Sequence, residues 1–129
     1  MKNPVLEDPF ILIVEDEETN FFVFDLFLRK TITSRTLHAH NGVEAINACK
    51  ENPEISLVLM DIKMPVMDGI EATRQIKSFR PELIIIAVTA YALSGDEQKL
   101  RQAGCDDYIA KPVRKAELLK IISHYIPVE

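Results

Sequence analysis

Short strand-like runs and helical segments alternate five times along this chain, and few folds accept that order. The runs are Phe10–Val14, Arg35–Ala39, Ser56–Met60, Leu83–Val88 and Asp107–Ala110. The first, third and fourth carry no charge. Uncharged apolar runs of this length read as strands buried on both faces. Arg35–Ala39 reads as a weaker strand and Asp107–Ala110 as a short one. Helical segments follow at about Glu17 to Lys30 and Val43 to Lys50. A third starts at Asp68-Gly69 and ends before Arg80-Pro81. A fourth opens at Ser94-Gly95-Asp96-Glu97 and closes at Gly104, and the last spans Lys115 to Ile126. Asn41-Gly42 is a turn signal, and Asn52-Pro53 stops the second helix. Strands alternating with helices need crossover connections, hence a parallel sheet covered on both faces. Right-handed crossovers then leave few topologies.

With 129 residues, 47% of them hydrophobic, the chain has enough for one core and one domain. The domain is expected over residues 10–127. Residues 1–9 are polar with two prolines and read as a tail or linker, not a signal peptide. A net charge of −5 argues against a nucleic-acid surface, which needs a basic stripe. No apolar run approaches membrane-spanning length. Cys49 and Cys105 have no second thiol nearby in sequence and read as reduced thiols of a cytoplasmic protein. His38 and His40 fall on one side of a strand without a third ligand, so metal binding there is not expected.

The first helix is unusually apolar. At about 100° per residue, Val23, Phe24, Phe27 and Leu28 share one face, with Phe21 at its edge. Phe22 and Leu26 fall on the opposite side with Asp25 and Arg29. The exposed Phe–Leu pair reads either as a docking face or as a small error in helix rotation. Pro112 joins Phe22 and Leu26 in the candidate docking surface. Asp16 is a plausible N-cap for this helix, and Glu17 and Glu18 suit its positive end.

Functional groups gather where the strands end. In a parallel sheet every carboxyl end lies on one edge, where open α/β sheets keep their binding crevice. That edge collects Glu15 and Asp16 from the first strand and Asp61 from the third. It also collects Thr89 from the fourth and Lys111 from the fifth. Each alone has an ordinary reading: a strand end, a turn, a solvated cation. Together, three carboxylates repel unless a cation offsets them, and an all-oxygen set suits Mg²⁺. A lysine and a hydroxyl opposite them suit a phosphoryl group. The set reads as Mg²⁺-assisted phosphoryl chemistry with Asp61 free to act as nucleophile.

Four stretches carry a family resemblance: Val14-Glu15-Asp16, Met60 to Gly69 (MDIKMPVMDG), Val88-Thr89-Ala90 and Asp107 to Val113 (DYIAKPV). In order and at strand ends, they make the chain resemble the receiver domain of two-component response regulators over essentially its whole length. The resemblance implies a flavodoxin-like (βα)5 three-layer sandwich with strand order 2-1-3-4-5. It implies that Asp61 is the phosphoacceptor, served by a phosphohistidine on a sensor histidine kinase or histidine phosphotransfer domain. Glu15, Asp16, Asp61 and the backbone carbonyl of Lys63 would hold Mg²⁺. Thr89 and Lys111 would bind the phosphoryl group, with Lys111-Pro112 in the cis form. Tyr108 would move inward as the switch on the face made by the fourth helix, fifth strand and fifth helix, and phosphorylation-dependent dimers are an expected consequence. Lys63 and Tyr91 would tune dephosphorylation. The first acid is Glu15 rather than Asp, a minor variation.

The segments around Thr89–Asp96 and Ala103–Tyr108 look most like receivers of hybrid sensor histidine kinases. That makes the cytoplasmic part of such a kinase the leading context, with a stand-alone single-domain regulator as the alternative. A haloacid-dehalogenase-like phosphatase would want its nucleophile on the first strand with an Asp two residues later, whereas position 63 is Lys. A flavin or nucleotide binder would want a glycine-rich phosphate loop, which the four glycines do not make.

Overall fold

The computed structural model describes residues 9–29, 31–32, 35–90 and 96–126. Its strands are β1 (Phe10–Val14), β2 (Arg35–Ala39), β3 (Ile55–Asp61), β4 (Ile84–Thr89) and β5 (Asp107–Ala110). The helices are α1 (Glu18–Arg29), α2 (Gly42–Glu51), α3 (Gly69–Phe79), α4 (Asp96–Ala103) and α5 (Lys115–Ser123). The strands form one parallel sheet in the order β2-β1-β3-β4-β5. This is the expected flavodoxin-like topology, with β1 and β3 side by side where the order reverses.

Strand periodicity divides the core in two, because successive side chains point to opposite faces. Leu12, Val14, Val58, Met60, Ile85 and Ala87 pack with Ala45, Ile46 and Cys49 of α2, Ala72 and Ile76 of α3, and Leu100 of α4. Ile11, Ile13, Leu57, Leu59, Ile86 and Val88 pack with Phe24 and Leu28 of α1 and Leu118 and Ile122 of α5. The central runs are apolar throughout because both faces are covered. β2 is an edge strand, so its polar composition is tolerated. Asn41 and Asp68 cap α2 and α3, accepting from the Glu44 and Glu71 amides. Gly69 is needed where it stands: a Cβ there would lie 2.3 Å from the Asp61 carbonyl oxygen. A glycine thus lets α3 begin directly against the end of β3.

Three expectations need correction. Asp25 is buried rather than solvent-facing, and Val23 is exposed. The cause is tertiary: Asp25 Oδ1 accepts from Thr36 Oγ1 of β2 at 2.6 Å, and Oδ2 accepts from Arg29 Nε at 2.8 Å. Those bonds satisfy the carboxylate and turn α1 slightly from the face its apolar pattern suggests. Asp16 is not the N-cap, since α1 begins at Glu18 and the acids before it belong to the strand end. Finally, α5 stops at Ser123, although Ile126 still reaches the core through a turn in which its amide bonds to the Ile122 carbonyl. Lys111-Pro112 is cis. Residues 1–8 of the expected tail, and Tyr91, lie outside the described residues.

Candidate functional site

Three acids meet at the carboxyl edge of the sheet. β1 delivers Glu15 and Asp16, and β3 ends on Asp61, with Val14 beside Met60 in register. One oxygen from each of Glu15, Asp16 and Asp61 lies within 4.8 Å of the others. Glu15 is 1% exposed and Asp61 is 3% exposed, while Asp16 faces solvent. Burying charges of one sign this close is costly unless they are neutralised.

The surroundings offset only part of that cost. Lys111 Nζ donates to Asp61 Oδ2 at 3.3 Å. Glu15 Oε2 accepts from the Glu17 amide at 3.2 Å and from Asn20 Nδ2 at 3.3 Å. Glu15 Oε1 is buried with no hydrogen-bond partner among the described residues. Burial, then the Asp61 charge, push the Glu15 carboxyl up to about 7, against the pull of Glu17, Asn20 and Lys111. Burial likewise raises Asp61, opposed by Lys111, by hydrogen bonding with the Glu15 carboxyl and by the backbone N–H of Lys63. Without an added cation the cluster therefore retains a proton close to neutral pH. An orphaned buried carboxylate oxygen beside two other acids fits a hard divalent cation such as Mg²⁺.

The other strand ends complete the edge. Thr89 is the buried last residue of β4, and its carbonyl accepts from the Lys111 amide at 2.8 Å. That bond ties the lysine's backbone to the threonine's strand. Tyr108, half-buried, pairs with Ala87 and packs on the core face shared by α2, α3 and α4. Lys63 is exposed in the connection after β3. Phe22 (61%) and Leu26 (65%) project from α1, and Pro112 is exposed as well. Between α1 and the β5–α5 connection lies a cleft of about 460 Å³, lined by Asn20, Val23, Phe24, Lys111, Pro112 and Val113.

The structure thus brings Glu15, Asp16, Asp61, Thr89 and Lys111 to one edge. It adds two residues that sequence reasoning left out of the site. Asn20 reaches Glu15 from the first turns of α1, and His38 Nε2 lies 2.7 Å from the Glu15 carbonyl oxygen. Neither carries a sequence signal of its own. Their roles follow from helix docking and strand register.

Known proteins resemble the chain over nearly its whole length. The family model described as response regulator receiver domain matches residues 11–123. The polar-differentiation response regulator DivK of Brucella anthropi is 36% identical over 118 residues, covering 90% of this chain and 94% of its own. Among solved structures, the receiver domain of sensor histidine kinase PA1611 from Pseudomonas aeruginosa PAO1 has magnesium coordinated in its active-site cleft. It matches with 37% identity and a TM-score of 0.80, covering 92% of this chain and 98% of that one. A second match is the co-crystal structure of the Saccharomyces cerevisiae histidine phosphotransfer signaling protein Ypd1 with the receiver domain of its downstream response regulator Ssk1. There the identity is 36% and the TM-score 0.84, covering 92% of this chain and 88% of that one.

Proposed function

The chain belongs to the response regulator receiver family, and from that premise we propose that Asp61 is the residue that accepts the phosphoryl group. The function at family level is that of a receiver domain of two-component systems. One observation carries the residue assignment: Asp61 is a buried carboxylate at a strand end, ion-paired to Lys111 and grouped with two other acids.

In the proposed transfer, an Asp61 oxygen attacks phosphorus as the P–N bond to a partner's phosphohistidine breaks. The imidazole leaves and takes up a proton, and Asp61 carries an acyl phosphate that water later hydrolyses. Glu15, Asp16, Asp61 and the Lys63 carbonyl would hold Mg²⁺, whose charge offsets that of the acids and the incoming group. Lys111 is already at Asp61 Oδ2 and would pair with a phosphoryl oxygen. Thr89 would donate its hydroxyl to another oxygen, and Tyr108 would follow that shift on the α4-β5-α5 face. Such a remodelled face is the natural seat of a phosphorylation-dependent dimer. Lys63 and Tyr91 would limit water access and lengthen the phosphoryl lifetime.

Phe22 and Leu26, exposed on α1, and Pro112 at the cleft beside Lys111 form the proposed docking surface for a histidine kinase or histidine phosphotransfer partner. Likeness to the PA1611 receiver supports a place within a hybrid sensor kinase, on its cytoplasmic side. Likeness to DivK over nearly its full length supports the second reading, a stand-alone regulator. Among the described residues no helix is long and apolar enough to cross a membrane. A dehalogenase-like phosphatase is set aside because Asp61 ends the third strand.

The test is direct. Acetyl phosphate with MgCl₂ should add the mass of one phosphoryl group to the protein, and Asp61→Asn should abolish the addition. Unchanged labelling of the variant would overturn the assignment.

A further inference from the structure

We propose that His38 is a positioning residue for the acid cluster: it holds the peptide group that joins Glu15 to Asp16. The proposal rests on the reading of that cluster as the Mg²⁺ site of a receiver. β2 pairs with β1 in register, Ile13 beside His38 and Val14 beside Ala39. The ladder runs one step further, where the Glu15 amide donates to the Ala39 carbonyl at 2.9 Å. The Glu15 carbonyl belongs to the next peptide, the one between the two acids. His38 Nε2 lies 2.7 Å from that oxygen. A carbonyl oxygen can only accept, so Nε2 carries the hydrogen.

The imidazole is itself clamped. Its ring stacks on Phe21 with centroids 4.1 Å apart and planes 2° apart. The His40 ring lies 4.0 Å away on a centroid measure. Phe21 and His40 thus both pack against the imidazole. His40 is fixed in turn, since its backbone N–H and Nδ1 both bond Glu44 Oε1, at 2.8 and 2.9 Å. Glu44 sits in the first turn of α2. α1 and α2 thus set the angle of one imidazole, and that imidazole sets the angle of one peptide.

That peptide decides where two of the three carboxylates point. With the His38 bond Glu15 is tied to β2 at the peptide before it and at the peptide after it. Without it, the peptide can rotate and the acids diverge. Groups that orient metal ligands in this way typically cost about 10- to 100-fold in affinity when removed.

His38→Phe keeps a stacking ring and removes the donor, whereas His38→Gln restores an N–H donor of similar reach. Mg²⁺ binding is read by titrating MgCl₂ against backbone amide shifts, without any phosphodonor. His38→Phe is expected to raise the Mg²⁺ Kd about tenfold, and His38→Gln to recover most of that loss. Saturating MgCl₂ should return the acetyl phosphate labelling rate of His38→Phe to the wild-type value. Thermal midpoints in EDTA should stay close for all three proteins. Phe21→Leu loosens the ring and leaves the donor, so an intermediate Kd is expected. A wild-type Kd in His38→Phe, or equal loss in His38→Phe and His38→Gln, overturns the proposal. A wild-type protein that neither binds Mg²⁺ nor takes label overturns the receiver-site reading instead.

Discussion

Glu15 is where the electrostatics of the site concentrate. Its carboxylate is buried, one oxygen has no partner, and Asp61 adds a like charge. This is a destabilising group that a bound cation would relieve. Glu15→Gln removes the like charge and should raise the thermal midpoint in EDTA by several degrees. The same change should shrink the further rise that MgCl₂ gives wild type, as differential scanning calorimetry would read. A lower midpoint in EDTA would contradict this account. The residues of this edge were partly legible in the sequence. Asp61 and Thr89 end strands and Lys111 follows one, and strand ends converge in any parallel sheet. Asn20 and His38 were not legible, because nothing near them in sequence indicates which backbone or side-chain group they will meet.

α1 plays two parts as an element. Its inner face packs Phe24 and Leu28 into the core, while Phe22 and Leu26 stand in solvent on the same helix that lends Asn20, Val23 and Phe24 to the cleft at Lys111. An exposed apolar pair on a helix is suited to a partner helix. Replacing both with Ala should slow transfer from a phosphohistidine donor about tenfold, or roughly 1.4 kcal/mol. Labelling by acetyl phosphate should not change, since that donor needs no docking face. Equal losses with both donors would place the effect in the site rather than on the surface. The rotation of α1 also shows a limit of helical periodicity. Apolar spacing put Val23 inside and Asp25 outside, but the bond from Thr36 to Asp25 reversed them. A hydrophobic pattern fixes a helix face only to within a residue or so. A buried polar partner on the neighbouring strand decides the remainder.

The whole molecule protects its thiols. Cys49 and Cys105 lie in the core between the sheet and the α2, α3 and α4 layer, and burial pushes both up to about 11. Raised thiols stay neutral in the folded protein, where the unfolded chain would ionise near pH 9. They cost no stability below that pH and progressively destabilise the fold as pH rises from about 9 to 11. At pH 8 iodoacetamide should modify neither thiol in native protein and both in denatured protein, as intact mass would report. Prompt native modification would mean that this layer opens readily. The same two-layer packing brings the acids together, because β1 and β3 are neighbours only once the chain has crossed over β1 to build both sides of the sheet.

Alternation of strand and helix, and the polar groups at strand ends, were set by the sequence alone. They follow from local rules: unbroken apolar runs are buried on both faces, and Pro, Gly and Asn break them. The sequence also placed the reactive groups on one edge, since parallel strands leave no other arrangement. Only the tertiary structure decided how far apart those groups stand, that one oxygen of Glu15 has no partner, and that His38 grips the peptide between two acids. Those facts depend on register and helix rotation, which are fixed by contacts between residues far apart in the chain.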